Sequence, residues 1–169
     1  MTPDQSGTWT ERGTGLAVLA VLLAVGSLAG AWYFQYVAGY QPCKLCLLQR
    51  WPYYLGIPAG VVALVAYAYG LNRLGSVLLA LFIIAFLVGS GLGVYHAGVE
   101  WKLWAGPTDC GGSLSAAPAS IEDFRKSLAT TKVIRCDEAP LRILGLSFAG
   151  WNAVISLVIA GLAARAFRR

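Results

Sequence analysis

"LGSVLLALFIIAFLVGSGLGVYH", residues 74–96, contains no Asp, Glu, Lys or Arg. The hydrocarbon core of a bilayer is about 30 Å thick and takes about 20 helical residues to cross. This stretch is long enough, and in lipid it must be a helix, because an open strand would leave its backbone groups unsatisfied. Three more apolar stretches surround it. "WPYYLGIPAGVVALVAYAY", residues 51–69, lies just upstream, joined by the tight connection "GLNR". "LAVLAVLLAVGSLAGAWYFQYV", residues 16–37, ends in an aromatic cluster suited to the membrane interface. "LGLSFAGWNAVISLVIAGLAARAF", residues 144–167, closes the set.

The composition agrees. Of 169 residues, 57% are hydrophobic and only 12% charged, and the mean hydropathy is +0.63. That much apolar surface needs a lipid solvent. The net charge of +5 comes without a long basic run, which argues against a nucleic-acid partner and for arginines near lipid headgroups. The expected fold class is all-α, an integral membrane four-helix bundle in a single membrane domain over residues 1–169. A long loop, about 97–143, separates the third and fourth helices. Within it "PASIEDFRKSLAT" reads as a short amphipathic helix with Ile121, Phe124 and Leu128 on one face. Pro52 suits a first helical turn, and Pro58 is expected to bend the second helix. Small-residue spacings at Gly26/Gly30 and Gly89/Gly93 point to close helix packing. A cleaved signal peptide is the rival reading of the first segment. Its apolar run is too long for that, and acidic Asp4 and Glu11 precede it.

Four crossings place both termini and the short hairpin on one side, and the long loop on the other. Lys and Arg do not decide which side is which: Arg12, Arg73, Arg165, Arg168 and Arg169 face one way, and Lys44, Arg50, Lys102 and Arg142 are among those facing the other. The cysteines decide it. Cys43, Cys46, Cys110 and Cys136 all fall on the long-loop side, and cysteine pairs that must stay oxidised belong outside a reducing cytoplasm. The termini are therefore expected in the cytoplasm. A tetracysteine zinc site is disfavoured, because Cys110 and Cys136 lack the close spacing of a zinc knuckle, and no metal is expected.

"QPCKLCLLQR", residues 41–50, concentrates the chemistry. A Cys-x-x-Cys pair closes into a small disulfide ring and reopens readily, and the attacking species is the thiolate. If a helix begins by Cys46, Arg50 falls at i+4 on the same face; Trp51-Pro52 opposes that, since Pro52 favours a later start. Arg50 is either an anchor snorkelling to headgroups or a hydrogen-bond donor to a carbonyl oxygen in the membrane plane. A membrane-soluble electron acceptor would supply such an oxygen. His96, the single histidine, sits on the same side and reads either as a partner for that acceptor or as an interfacial residue beside Tyr95 and Trp101. Gln49 is a further candidate for the same pocket.

Cys43-x-x-Cys46 followed by Arg50, with Cys110 and Cys136 in the loop between the third and fourth spans, resembles the DsbB family of bacterial inner-membrane disulfide-forming proteins. The resemblance covers the whole chain. It implies a quinone-dependent thiol:disulfide oxidoreductase of the cytoplasmic membrane, with ubiquinone the usual acceptor and menaquinone a substitute. It implies that a periplasmic thioredoxin-like partner of the DsbA type reduces the Cys110–Cys136 pair, that electrons pass to Cys43–Cys46, and that Cys46 and Arg50 face the quinone pool. Gly111 and Gly112 would leave Cys110 free to move. Two alternatives remain. A vitamin K epoxide reductase-like enzyme would carry its loop pair before its Cys-x-x-Cys, the reverse of the order here. A non-enzymatic membrane scaffold would use the cysteines only as structural bridges.

Overall fold

The computed structural model describes residues 11–107, 120–121 and 136–168. Cys110 and nearly all of the expected amphipathic helix lie outside the described residues. The chain forms α1 (Glu11–Tyr36), α2 (Lys44–Leu48), α3 (Trp51–Ala68), α4 (Asn72–Glu100), a two-stranded hairpin of β1 (Arg142–Ile143) and β2 (Leu146–Ser147), and α5 (Phe148–Phe167). Among the described residues, four helices are long and apolar enough to cross a membrane: α1, α2 continued into α3, α4 and α5.

The residues that pack between helices are mostly small, and those that face outward are mostly large. Ala17, Ala20 and Ala24 of α1 are buried against Ala160, Ala163 and Ala166 of α5 in one apolar cluster. Leu22, Leu55, Leu81 and Leu157 are all more than half exposed. Water would reverse this pattern, but lipid tails are as apolar as leucine, so close backbone approach drives association instead. α4 makes the most extensive contacts, with α5 and α3, and α1 packs on α5 and α3.

At the centre Phe82 and Phe86 are wholly buried, their ring centroids 4.7 Å apart, and Tyr53 meets Phe86 edge-on at 5.0 Å. They fit because α3 carries glycine opposite them. A Cβ at Gly60 would stand 2.7 Å from Phe82, and one at Gly56 2.8 Å from Phe86.

The small-residue expectation holds for one pair and fails for the other. A Cβ at Gly93 would meet the Ala153 backbone nitrogen at 2.7 Å, and one at Gly89 would meet Pro52 at 3.2 Å. Gly26 and Gly30 have nothing within 4 Å of such a Cβ. They do not seat a helix, and Gly30 lines a cavity instead.

Three boundaries differ by about a turn from those expected, the first being the start of α1 at Glu11 rather than residue 16. α4 runs one turn past His96, to Glu100. The last helix begins at Phe148 rather than 144, because residues 142–147 form the hairpin, with Leu144 at φ 53 and Gly145 at φ 84. Ser147 then caps α5, its hydroxyl accepting from Gly150 N–H at 3.2 Å. α2 is separate from α3 because a continuous helix would need Pro52 to donate to Leu48, and proline has no N–H. α3 itself continues through Pro58.

Candidate functional site

The break before Pro52 builds the site. Arg50 caps α3 at φ −82 and ψ −20, and its carbonyl accepts from Tyr53 N–H at 3.0 Å and Tyr54 N–H at 3.1 Å. Cys46 and Arg50 therefore belong to different helical segments, and the i+4 relation fails. Both still face one cavity, because the turn between them keeps Gln49 and Arg50 directed inward.

Cys43 caps α2. Its sulfur accepts from Cys46 N–H at 3.2 Å, and its thiol donates toward the Cys46 sulfur across 2.8 Å. Both are thiols here. A disulfide S–S bond is about 2.05 Å, so the pair can close with less than 1 Å of further approach. The hydrogen bond to Cys46, followed by burial, pushes the Cys43 thiol up to about 12.

The two sulfurs face different surroundings. Cys43 is buried in a small cluster with Leu45, Val99 and Cys136, with Cys46 at its margin. Cys136 therefore arrives from the long loop against the Cys-x-x-Cys pair, as a relay by direct sulfur attack requires. Cys46 lines a cavity of about 370 Å³ on the other side. α1 and α5 form much of its wall, through residues such as Ala31, Phe34, Phe148 and Ile155. The polar side chains that line it include Gln35, Gln49, Arg50 and Asn152.

Those side chains are held in two hydrogen-bonded sets. Arg50 Nη1 donates to Gln35 Oε1 at 2.5 Å, so Arg50 is fixed beside the cavity rather than extended to the headgroups. Asn152 Nδ2 donates to Gln49 Oε1 at 2.7 Å, and the Tyr53 hydroxyl donates to Asn152 Oδ1 at 2.7 Å. Gln49 Nε2 lies 2.6 Å from His96 Nδ1. The other ring nitrogen, Nε2, lies 3.6 Å from Cys43 Sγ and 3.8 Å from Glu100 Oε1. The backbone of Cys136 also reaches the imidazole. His96 is thus enclosed, with 2% of its surface exposed, and its interfacial-anchor reading fails. Trp101 does remain half-exposed at that boundary, and Tyr95 stacks on Trp104 at 6.0 Å.

Of the residues singled out from the sequence, Cys43, Cys46, Gln49, Arg50, His96 and Cys136 come together at this end of the bundle. Cys110 falls outside the described residues. Gln35, Tyr53, Glu100 and Asn152 were not anticipated. Asn152 had a signal, since a polar residue inside an apolar span is costly and marks a site by default; Glu100 had none, because it fell in the expected loop. Gln35 had only its place at the end of a span.

Comparison with known proteins places this geometry in a family. The profile described as "Disulfide bond formation protein DsbB" matches residues 13–166. "Disulfide bond formation protein B" of Marinobacter nauticus is 33% identical over 154 residues, covering 85% of this chain and 86% of the relative. The protein of the same name from Polaromonas sp. is 33% identical over 150 residues, covering 84% and 83%. "Disulfide bond formation protein B 1" of Pseudomonas fluorescens is 28% identical over 167 residues, covering 94% and 90%. No solved structure matches. With its four spanning helices and a cysteine pair facing a cavity at one end, the chain belongs to the DsbB family of membrane proteins of disulfide bond formation.

Proposed function

We propose that this protein re-oxidises a reduced periplasmic dithiol protein of the DsbA type and passes the electrons to quinone. The observation that carries the reading is the division between two adjacent sulfurs. Cys46 lines an apolar-walled cavity beside Arg50, while Cys43 does not line it and is buried in the cluster that holds Cys136.

The cavity suits a quinone head group on its own terms. About 370 Å³ is within the usual range of small-ligand sites, and apolar walls with a few placed polar groups are the usual lining. Arg50, held by Gln35, is placed to donate to a ring carbonyl, and Gln49 and Asn152 offer further amide groups. Bound there, quinone would supply the two-electron sink; ubiquinone is the first candidate, with menaquinone the alternative.

The chain's own residues do the rest. The partner's thiolate attacks the Cys110–Cys136 disulfide, and the loop pair is re-oxidised by exchange with Cys43–Cys46. Cys43, buried in the cluster that holds Cys136, is the sulfur attacked from the loop, and the Cys46 thiolate is released toward the cavity it lines. Re-closing the Cys43–Cys46 bond gives up two electrons and two protons, and the quinone leaves as quinol. Beyond Cys46 itself, His96, with Nε2 3.6 Å from Cys43 Sγ, is the base at hand to share the Cys43 proton. The cysteine end faces the periplasm, with the termini in the cytoplasm, because the loop pair must meet an oxidising compartment.

The test is steady-state quinone reduction by purified protein in nanodiscs, driven by a reduced thioredoxin-like protein. Wild type reduces a ubiquinone analogue, and Cys46→Ser abolishes turnover. Inactivity of a folded wild type with both ubiquinone and menaquinone analogues, or full activity in Cys46→Ser, refutes the reading and favours a scaffold with structural bridges.

A further inference from the structure

Glu100 stands out among the described residues. It is 7% exposed, and its Oε2 is a buried oxygen with no hydrogen-bond partner among the described residues. Its other oxygen lies 3.8 Å from His96 Nε2. A buried carboxylate is costly unless it is paired or ligates a metal, and one such contact leaves half of it unanswered.

The surroundings of that contact form a donor set. Cys43 Sγ, Cys46 Sγ and a His96 ring nitrogen all lie within 4.8 Å of one another. Cys43 Sγ is 3.6 Å from His96 Nε2, and Nε2 is the atom that Glu100 also approaches. Two sulfurs, an imidazole nitrogen and a carboxylate oxygen are the ligand types of a tetrahedral zinc site, with bonds of about 2.3 Å to sulfur and 2.0–2.2 Å to nitrogen and oxygen. Donors on such a tetrahedron stand roughly 3.3–3.8 Å apart. The sulfur–nitrogen separation already matches, and the nitrogen–oxygen separation of 3.8 Å would shorten by about 0.4 Å. The sulfurs, 2.8 Å apart, would open by about 1 Å, as two thiolates repelling each other would.

The shell behind the histidine also fits. A ligating imidazole uses one nitrogen for the metal while the other donates to an oxygen that fixes the ring. His96 has Gln49 at Nδ1, Asn152 behind Gln49, and Tyr53 behind Asn152. That chain closes in either direction. The Tyr53 hydroxyl can donate to Ser156 Oγ, 3.2 Å away, while the two amides turn to present oxygen to Nδ1 and leave the Nε2 lone pair facing the sulfurs. The donor set differs from the four-cysteine arrangement set aside on spacing, and folding alone brings it together.

We infer that the reduced site binds one Zn²⁺ through Cys43, Cys46, His96 and Glu100, and that the ion acts as a redox-gated inhibitor. Binding releases the two thiol protons to solvent and changes no oxidation state. The oxidised pair has no thiolate to offer, so the site exists only in the dithiol state. Zinc there holds the sulfurs too far apart to bond and stops delivery of electrons to the cavity. This rests on reading Cys43 and Cys46 as a pair that cycles between dithiol and disulfide.

The test is competition for Zn²⁺ against a chromophoric chelator, using full-length Cys110→Ser/Cys136→Ser protein in nanodiscs, reduced and freed of reductant. The expected result is one Zn²⁺ per reduced chain and none per oxidised chain. Affinity should fall about tenfold in Glu100→Gln and at least a hundredfold in His96→Ala. Co²⁺ substitution serves as the fold-independent control: reduced protein should show a thiolate-to-cobalt band with tetrahedral visible bands, weakened by Cys46→Ser. Less than one Zn²⁺ per reduced chain, equal binding to oxidised protein, or unchanged affinity in Glu100→Gln overturns the site. Quinone reduction measured without zinc reports separately on the proposed function, so either can fail alone.

Discussion

The two ends of the bundle are built on opposite principles. At the hairpin end, where α3 turns into α4, small residues close the helices together: Ala17 of α1 and Ala163 and Ala166 of α5 are at most 2% exposed. Among the polar contacts there is a bond between the Tyr67 and Ser76 hydroxyls at 2.9 Å. At the cysteine end α1 and α5 leave a cavity of about 370 Å³, which Gln49 lines, and Gln49, His96 and Glu100 are buried at that end. Buried polar groups cost stability unless every partner is in place. The molecule concentrates that cost at one end and leaves the other to packing. Substitutions should therefore separate cleanly: those at the cysteine end change the reaction, and those at the hairpin end change stability.

The sharpest break of that contrast is at Arg50. Arg50→Leu removes a charged donor from the cavity and leaves Gln35 Oε1 unanswered. A hydrogen bond to a charged group contributes about 1.5–3 kcal/mol. KM for quinone should rise about 10- to 100-fold, with the KM for the dithiol protein unchanged, as steady-state titration of each substrate will show.

Next comes the reactivity of Cys43. Its thiol, pushed up to about 12 from a reference of 9.0, holds about a thousandfold less thiolate at neutral pH than an ordinary cysteine. The greater nucleophilicity of a high-pKa thiolate recovers part of this. Iodoacetamide labelling followed by peptide mass spectrometry should be on the order of 50-fold slow. The sign is fixed by the direction of the shift: the rate climbs about tenfold per pH unit through pH 10, without the plateau of an ordinary thiol. Cys46→Ala removes the largest cause, so labelling of Cys43 should then level off at lower pH.

Asn152→Leu cuts the chain that holds Gln49 against His96. It strands the Gln49 oxygen, at a cost of about 1–3 kcal/mol for a buried group. Turnover should fall about tenfold, and Asn152→Asp should restore less than Asn152→Gln if donation to Gln49 is what matters. The smallest effect on chemistry is expected at the hairpin end. Ala163→Leu overpacks a fully buried position at about 1–3 kcal/mol. Tm should fall by several degrees while activity per folded molecule stays within about twofold.

Much of the bundle was legible because lipid imposes a simple rule: an apolar run of sufficient length must be a helix. Residues 16–37, 51–69 and 74–96 mark three spans to within a few residues. The fourth start was misplaced because Leu144 and Leu146 continue the apolar run while the chain actually turns there; Gly145, at φ 84, was the sign of the turn. α4 continues past His96 because Gly98 admits the Trp104 ring, whose atoms would lie 2.0 Å from a Cβ at that position. No local pattern encodes that contact. The site divides the same way. Cys43, Cys46 and Arg50 declare themselves by residue type and spacing. Asn152 meets Gln49 across 103 positions of sequence and Arg50 meets Gln35 across 15. Such pairings are set by which helix faces which, and a single sequence does not state that.

The central claim is that Cys43 and Cys46 alone deliver electrons to the cavity. Stopped-flow absorbance of pre-reduced Cys110→Ser/Cys136→Ser protein mixed with one ubiquinone analogue, and no other thiol, isolates that step. The expected result is one quinol formed per chain, with Cys43–Cys46 recovered as a disulfide by mass spectrometry, and none in Cys46→Ser. Failure of the folded protein to form quinol, or an equal yield in Cys46→Ser, would contradict it.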